Sequence, residues 1–511
     1  MKHALRLGTA MAAALVAVGN AAAQDARDTL RIGMYSKAPS RGNTFAVPSG
    51  VPSMYWWEGI FDSFTRVDDK AQILPFAAAS WKLIDDRTWH VTFRQNVEYT
   101  SGAKNNAANV SAMLDYITGD GKAGALFTSY ARNFESWRAV DEMTVEIKTK
   151  TPYPLLPGAL ARFYAVDMKA FRDLGVEQFT NKPVTSGPWK VERWTDSEMT
   201  ATAHDKSWRP GKIKNLRFVE LSEIVARRQA LESGQVDVVT NMNPDDMKAM
   251  EAVGSVVVAN APNIMSFALF SEDFSPDKKR WNGKPPFADR RVRQAVNHAI
   301  DRSAITKNLL NGVFEPASQP ANPQTFGYNA DLKPYPYDPE RGKRLLAEAG
   351  YPNGFSMIGE FIPGAIANDK EIYNLVAEGM GRIGIKAELR AVPFSEWVTK
   401  LTQKKWEGEG TGFSYLVDPM MDASQPFNWY SCNAPAVFIC IEDHMPLIRA
   451  QAQEMDSKKR EAILKELMKK ANEDALSVAL VNGRDIFGLS KRVKNFKSWN
   501  RVIVYEDLIF G

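Results

Sequence analysis

The first third of the chain contains two segments in which apolar and polar side chains alternate. The apolar positions are Trp89, Val91 and Phe93 in residues 88–94, and Met143, Val145 and Ile147 in residues 143–148. A period of two puts the apolar side chains of a β-strand on one face, so each segment is predicted to have one buried and one solvated face. This pattern is typical of antiparallel sheets.

The rest of the chain alternates between helix-like and strand-like segments. Helices are predicted in residues 55–64, 107–118, 223–232, 290–300, after Asp338 and in 458–472. Strands are predicted in residues 29–35, 216–221, 236–239, 385–389 and 477–481. Asp289 and Asp338 stand where a side chain caps a helix start, and Gly234 and Gly350 stand where a helix ends. The sequence therefore predicts a mixed α/β protein.

The composition is that of an ordinary globular protein. The chain has 511 residues, 44% hydrophobic and 24% charged, with 64 Lys and Arg against 60 Asp and Glu. These values exclude collagen-like and largely disordered classes, and the net charge of +4 gives no sign of nucleic acid as an obligate partner. Because one hydrophobic core rarely covers this length, about three domains are expected. No Gly/Ser-rich linker separates them, which predicts closely packed domains.

Residues 1–23 have the pattern of a secretory leader. Lys2 and Arg6 form a basic start, a small apolar run follows, and residues 21–23 are alanines suited to cleavage. The apolar run is too short to span a membrane. No cysteine follows it, so there is no acceptor for a bacterial lipid anchor. We therefore expect a soluble periplasmic product that begins at Gln24.

The two cysteines of the chain, Cys432 and Cys440, lie close together in sequence. In an exported protein, such a pair is expected to form a disulfide that closes a loop. A cysteine-based metal site is the alternative. It is disfavoured because two ligands without a second pair do not complete a tetrahedron.

No catalytic signature is recognisable in the sequence. The nucleophile elbow, the H-E-x-x-H metal site and the phosphate-binding loop are absent. Residues 379–384 match G-x-G-x-x-G, but they follow a predicted helix and precede a predicted strand, the reverse of a dinucleotide loop, so we interpret them as a helix terminator. The histidines beyond the leader are His90, His204, His298 and His444, and none stands at metal-pair spacing. We predict neither a cofactor nor an enzymatic activity.

Four further stretches share a pattern with one protein family. They are EGIFDSFT at 58–65, continued by 73–75 and 79–81; PVTSGPWKV at 183–191; ARRQALESGQVD at 226–237; and PFADRRVRQA at 286–295, continued by AIDR at 299–302. In this order they resemble the solute-binding proteins of bacterial ABC importers, the family of dipeptide-, oligopeptide-, nickel- and opine-binding proteins. As a set, the four stretches are highly specific.

The resemblance implies a periplasmic-binding-protein-like α/β fold, with two lobes joined by a hinge and an extra small α+β domain inserted in lobe one. On that basis lobe one is predicted to comprise residues 24–65, 185–275 and 480–511, the extra domain 66–184, and lobe two 276–479. The resemblance also implies that a small solute binds between the lobes, that the lobes close around it, and that a monomer delivers it to the transmembrane permease of an ABC importer.

The residues that hold the charged ends of a peptide in this family look replaced here. Peptide binders carry an acid for the ligand's amino group in a Gly-Trp-x-x-Asp segment, whereas the corresponding GFSYL at 412–416 ends in Leu416. The stretch comparable to the one with the carboxylate-binding arginine, IPGAI at 362–366, contains no arginine. A zwitterion is costly to bury without these ion pairs. Asp418 is a candidate substitute, with a structural role as the alternative.

The resemblance further suggests an aromatic wall to the ligand pocket, formed by Phe394, Phe413 and Tyr415. Additional candidate contacts are Tyr35, Asn263 and Phe267. For each of these residues, core packing is the alternative. Aromatic walls suit sugars, opine-like conjugates and aromatic solutes, whereas the family background favours a peptide or peptide-like ligand.

Two other functions remain as alternatives. A heme or metal carrier of the same family would use Met420, Met421 or His444 as ligands. A secreted hydrolase would need a nucleophile, a metal site or an acid pair, and the sequence offers none in recognisable form.

Overall fold

The structure, a computed structural model, describes residues 27–46, 52–119, 123–274, 280–363, 368–417, 419–433 and 437–511. The predicted leader at residues 1–23 lies outside this part of the chain. The architecture is mixed α/β, as the sequence predicts.

The strands are β1 (Thr29–Met34), β2 (Thr65–Val67), β3 (Ile73–Pro75), β4 (Ala78–Leu83), β5 (Thr88–Phe93), β6 (Phe134–Ala139), β7 (Thr144–Thr149), β8 (Trp189–Trp194), β9 (Glu198–Ala203), β10 (Asn215–Glu220), β11 (Val238–Val239), β12 (Gly254–Leu269), β13 (Phe355–Phe361), β14 (Ile385–Ala391), β15 (Gly410–Leu416), β16 (Ser477–Ser490), β17 (Val493–Lys494), β18 (Ser498–Trp499), β19 (Val502–Ile503) and β20 (Ile509–Phe510). The α-helices are Ser53–Trp57, Ala107–Thr118, Ala125–Ala131, Leu156–Ala159, Met168–Asn181, Ile224–Glu232, Met247–Val253, Arg290–Ala299, Arg302–Ala304, Pro339–Glu348, Asp369–Arg382, Phe394–Gln403, Met445–Gln453 and Ser457–Glu473.

A ten-stranded sheet runs through the protein in the order β14-β13-β15-β12-β16-β11-β1-β10-β9-β8. Its fourth and fifth strands, β12 and β16, are the longest, and they pair antiparallel along most of their length. On one side of them β1 pairs parallel with β10 and β11, and on the other β13 pairs parallel with β14 and β15. Within this sheet, β12 and β16 therefore link the two groups of parallel strands.

A separate four-stranded antiparallel sheet has the order β4-β5-β7-β6. Its central strands are the two alternating segments of the sequence, with Trp89 opposite Ile147 and Val91 opposite Val145. All four of these side chains are buried. The prediction of a one-sided antiparallel sheet is confirmed.

Several predicted helices are also confirmed together with their ends. Asp289 and Asp338 accept hydrogen bonds from the first-turn backbone N–H groups of Arg291 and Arg341. The G-x-G-x-x-G match ends a helix as expected, because Gly384 adopts φ 94° directly before β14.

The helix predicted for residues 55–64 is wrong beyond Trp57. The helix covers Ser53–Trp57 alone, and β2 begins at Thr65. The intervening carbonyl oxygens of Glu58 and Phe61 accept hydrogen bonds from Arg209 Nη2 at 2.9 and 2.8 Å. A partner from far along the chain thus fixes an irregular turn where local patterning favours a helix.

Candidate functional site

The first family-like stretch forms part of a buried ionic network. Arg209 donates to Asp62 Oδ1 at 2.5 Å and to Glu506 Oε2 at 2.9 Å. Arg66 donates to Glu506 Oε1 at 3.1 Å and to Glu58 Oε2 at 2.9 Å. Both arginines are almost fully buried, so their charges are balanced within the protein.

The acids of this network are in different electrostatic environments. Burial raises the pKa of Glu58 above its ordinary value, although Arg66 and Arg209 act against the shift. Burial also opposes ionisation of Glu506, but the two arginines outweigh it and lower its pKa. Because the network joins residues 58–66 to Arg209 and Glu506, it ties together segments that lie far apart in the sequence.

The other family-like stretches hold the backbone in the same way. Asp237 accepts hydrogen bonds from the side chains of Arg31 and Arg492, each within 2.9 Å. Arg293 donates to the carbonyl oxygen of Phe287, and Arg302 to that of Ala479. Burial lowers the pKa of Arg302 to about 10, and its hydrogen bonds go to neutral oxygen atoms. These residues make contacts that stabilise the fold, and these contacts give no information about which ligand binds.

The central strand pair contains an irregularity that marks a candidate hinge. The ladder runs from Gly254 opposite Ser490 to Asn260 opposite Arg484, and resumes at Ile264 opposite Asn482. Residues 261–263 therefore face Gly483 alone. A β-bulge of this kind breaks regular pairing and lets a strand bend.

Gly483 is required by the close approach of the two strands. A Cβ atom at this position would lie 2.0 Å from Oδ1 of Asn263 and 2.7 Å from its carbonyl oxygen. The bulged strand is held by Asn322, whose Nδ2 donates to the carbonyl oxygen of Ala261 at 2.9 Å.

Strand β15 carries three of the predicted ligand residues on two different faces. Phe413 and Tyr415 point to one face, where both are buried with ring centroids 4.5 Å apart. Phe413 also packs against Phe438 and Trp429, at centroid distances of 5.2 and 6.2 Å. The structure thus brings together two of the three residues of the predicted aromatic wall, and their contacts are those of a core.

The opposite face of β15 presents Leu416. Its side chain is 50% exposed, which is unusual for leucine in this protein, and it lies opposite Asn263 on β12. Asn263 is buried, and its Nδ2 lies 3.5 Å from Oγ of Ser414. Phe267 is fully buried, with its ring edge-to-face on Tyr373, so its described contacts are also core contacts.

The remaining predicted ligand residues lie apart from this group or outside the described structure. Tyr35 follows β1, is half-buried, and its backbone N–H donates to Oγ1 of Thr240 at 3.3 Å. Phe394 begins a helix, but its side chain is outside the described part of the chain, as is Asp418. Their roles stay predictions.

The predicted domains touch through a small apolar cluster. Val67 and Ala161 from the predicted extra domain pack with Val417 and Met421 from the predicted lobe two. The segment that follows β15 therefore lies against the opposite half of the molecule.

Sequence reasoning missed a second contact, made by the turn between β18 and β19. Its central residues, Asn500 and Arg501, have φ 48° and 61°, the left-handed values of a two-residue type I′ hairpin. Asn500 Nδ2 donates to the carbonyl oxygens of Pro419 at 2.8 Å and Val67 at 3.3 Å. An asparagine between two short apolar segments is the sequence signal that could have revealed this turn.

The charged side chains near these contacts are paired within the protein. Arg460 donates two hydrogen bonds to Asp422, at 2.6 and 2.8 Å. Arg501 Nε lies 3.5 Å from Asp485, which also accepts a hydrogen bond from the hydroxyl of Tyr55. Internally paired charges of this kind are poorly placed to bind the charged ends of a ligand.

The described contacts of the candidate metal ligands give no support to a metal or heme site. Cys432 and Cys440 form a disulfide, as predicted, with an S–S distance of 2.07 Å. Glu442 lies beside the bridge, but bridged sulfurs are not the thiolates that bind metals. His444 is buried and its Nε2 lies 2.7 Å from Asp474, whereas Met421 belongs to the interdomain apolar cluster.

Among the described residues, no helix combines the length and apolar character needed to cross a membrane.

Comparison with known proteins identifies relatives that are all solute-binding proteins. The family model for bacterial extracellular solute-binding proteins, family 5 Middle, matches residues 72–435. Glutathione-binding protein GsiB of Escherichia coli (strain K12) is 25% identical over 366 residues, which cover 70% of this chain and 68% of that protein.

Solved structures share the fold. DppA from Helicobacter pylori, in complex with the peptide STSA, matches with a TM-score of 0.78 and 20% identity, covering 94% of this chain and 98% of that one. AgaA from A.tumefacien R10, in complex with agropinic acid, matches with a TM-score of 0.79 and 22% identity, covering 94% and 99%. Since the family match extends over more than half of its length, the chain belongs to family 5 of the bacterial extracellular solute-binding proteins, the non-enzymatic solute receptors of ABC transporters.

Proposed function

We propose that this protein captures a peptide-like or opine-like conjugate without a free ammonium end, in a periplasmic cleft between its lobes, and delivers it to the permease of an ABC importer. The observation that carries the proposal is the exposed Leu416 at the end of β15, where peptide binders of the family carry an acid. An oligosaccharide is the second candidate ligand.

The surroundings of Leu416 are neutral in the described structure. Its partner across the strand pair is Asn263, and the next residue on its face of β15 is Ser414. Asp422, six residues further along the chain, is paired with Arg460. A free ammonium group buried beside these residues would lose its hydration without gaining a counter-charge, which disfavours an ordinary dipeptide.

The relatives support a ligand derived from amino acids. GsiB is named for glutathione, DppA was solved with a peptide and AgaA with agropinic acid. These compounds share amide or carboxylate groups and differ in how their amino groups are substituted. The proposed ligand belongs to this chemical range, with its amino group masked.

The strand pair that joins the two halves supports capture by closure. A bulged ladder at residues 261–263 concentrates bending in one place, while packed sheets on either side stay rigid. A ligand that contacts both halves binds better to the closed arrangement and therefore shifts the population towards it.

Calorimetric titration of the mature protein tests this proposal. The panel is agropinic acid, mannopinic acid, glutathione, the dipeptide Met-Leu, its N-acetyl form and a maltose oligosaccharide series. We expect binding of the opines or of peptides with acylated amino ends, and no heat with Met-Leu. Tight binding of Met-Leu, with no binding of its N-acetyl form, would contradict the masked-amine proposal.

A substitution at Leu416 tests the position itself. Leu416→Asp supplies a carboxylate, and Leu416→Asn is the matched neutral control of nearly the same size. We expect the aspartate variant to bind Met-Leu at least about tenfold more tightly than the asparagine variant, because one ion pair in a closed cleft contributes more than about 1.4 kcal/mol. Equal affinities of the two variants would place the amino end of the ligand elsewhere.

A further inference from the structure

The turn formed by Asn500 and Arg501, which we name the clasp, is buried although it is the tip of a hairpin. Both residues are less than a tenth exposed. Turn tips usually lie in solvent, because their backbone groups need water or other partners. A buried tip therefore has a packing role.

The clasp reaches three parts of the molecule. The amide Nδ2 of Asn500 donates to Val67, which ends the hairpin strand β2, and to Pro419, which lies beyond β15. Arg501 lies against Asp485 on β16, two residues from Gly483 in the bulge. The predicted extra domain, lobe two and the hinge strand thus meet at one two-residue turn.

The segment around Pro419 is itself anchored to its own part of the molecule. Pro419 lies on a tight turn in which the N–H of Met421 donates to the carbonyl oxygen of Val417. Met421 in turn accepts a hydrogen bond from the N–H of Phe326 at 2.9 Å. A displacement of Pro419 would therefore also displace Met421 and Phe326, which belong to the predicted lobe two.

We propose that Asn500 is a positioning residue for solute capture: its amide bridges Val67 and Pro419, holds the segment after Leu416 against the other half of the molecule, and so stabilises the closed arrangement. This inference rests on closure as part of the proposed function. It adds that residues outside the ligand cleft set the balance between open and closed forms.

Because the backbone of the turn is left-handed, the side chain of Asn500 can be removed by a glycine substitution without strain. Asn500→Gly keeps φ near 48° without strain and removes both hydrogen bonds. Asn500→Asp keeps the shape but places a carboxylate against two carbonyl oxygens. Asn495, which is exposed and has φ 60°, offers the same two substitutions as matched controls.

Pulsed electron paramagnetic resonance on the ligand-free, full-length mature protein provides the readout. Spin labels at Ile84→Cys and Lys458→Cys, both on exposed positions, report the distance between the four-stranded sheet and the helix Ser457–Glu473. The native cysteines remain in their disulfide. We expect the ratio of closed to open protein to fall at least about fivefold in Asn500→Gly, because the loss of one ordinary hydrogen bond predicts that change and the substitution removes two, and to fall further in Asn500→Asp.

Melting temperatures of the same samples separate closure from folding. We expect the Asn500 variants to shift towards the open form. Their melting temperatures should lie within a few degrees of those of the matching Asn495 variants. The Asn495 variants should keep the wild-type distance distribution. Distributions equal to wild type in both Asn500 variants would overturn the inference, as would failure of both to fold, or a wild-type protein without a short-distance population. Ligand capture is decided separately by the titration of wild-type protein, so the two proposals can fail independently.

Discussion

Removal of the Arg209 side chain is expected to destabilise the protein strongly. Arg209→Met keeps most of the apolar stem and deletes the guanidinium, which donates to Asp62, to Glu506 and to two backbone carbonyl oxygens. The side chain of Asp62 is completely buried, and after the substitution it keeps one described donor, Nε1 of Trp208 at 2.9 Å. The variant therefore leaves a buried carboxylate without its counter-charge.

The expected cost is about 3–5 kcal/mol, the range for breaking a buried ion pair by removing one partner. Arg209→Lys should cost less, because it keeps the charge while giving up the forked geometry that serves several acceptors. Against the effect of burial, Arg209 also helps to hold the pKa of Glu506 below its ordinary value. Without Arg209 the folded-state pKa of Glu506 is higher, so this glutamate contributes less stability above its unfolded-state value of about 4.3. The penalty for Arg209→Met should therefore shrink as pH falls from about 7 to about 3.

Urea unfolding followed by tryptophan fluorescence measures this cost. Trp56, Trp57 and Trp189 belong to the same buried core as the network, so their emission reports the relevant transition. Arg217→Met is the matched control, because Arg217 pairs with Glu198 at 3.0 Å on the half-exposed surface and should contribute no more than about 1 kcal/mol. If the two methionine variants unfold at the same urea concentration, the buried network contributes no more to the free energy of unfolding than the surface ion pair does.

Three further predictions concern the hinge, acid stability and the disulfide. Gly483→Ala should destabilise by about 1–3 kcal/mol, because the new Cβ would lie 2.7 Å from the carbonyl oxygen of Asn263; an unchanged urea midpoint would show that the bulge has room for it. Burial raises the pKa of Asp237, but hydrogen bonds from Arg31 and Arg492 outweigh it, so the pKa lies below its ordinary value. The stabilisation is present above the unfolded-state value of about 3.9 and is lost as pH falls through the folded value, so Asp237→Asn should flatten the decline of the melting temperature below about pH 4, and parallel profiles would contradict this. The double variant Cys432→Ala with Cys440→Ala should lose about 2–3 kcal/mol from the loop closed by the bridge, and a reducing agent should lower the melting temperature of wild type without affecting the double variant.

Local sequence rules predicted the elements whose ends are fixed by neighbours in the chain. The helix Ala107–Thr118 has the predicted bounds, because Asn106 caps it by accepting from the N–H of Asn109 and its apolar residues share one face. The same rules failed at residues 58–64, where Arg209 holds the backbone from more than a hundred residues away. Partners at such distances are invisible to periodicity.

The candidate site was predicted in part for a similar reason. The family resemblance named Phe413, Tyr415 and Leu416 as candidates, and the structure places the first two on one face of β15 and Leu416 on the other. Which face meets a core depends on side chains such as Trp429 and Phe438, which come from other segments. The family-like stretches identified the fold because their charged residues hold the backbone, and for that reason they carry no information about the ligand.

The buried core that contains Trp56, Trp57 and Trp189 joins the earliest and latest described segments of the chain. This has a consequence for how the protein folds during synthesis. Tyr505 donates its hydroxyl proton to the carbonyl oxygen of Tyr55, Asp485 accepts from the hydroxyl of Tyr55, and β11 needs β16 as its neighbour. Contacts of such sequence separation form slowly and only after the intervening chain has been made. During synthesis, the emerging polypeptide therefore lacks the segments that complete this core. The core can be completed only after residues 477–511 have been made.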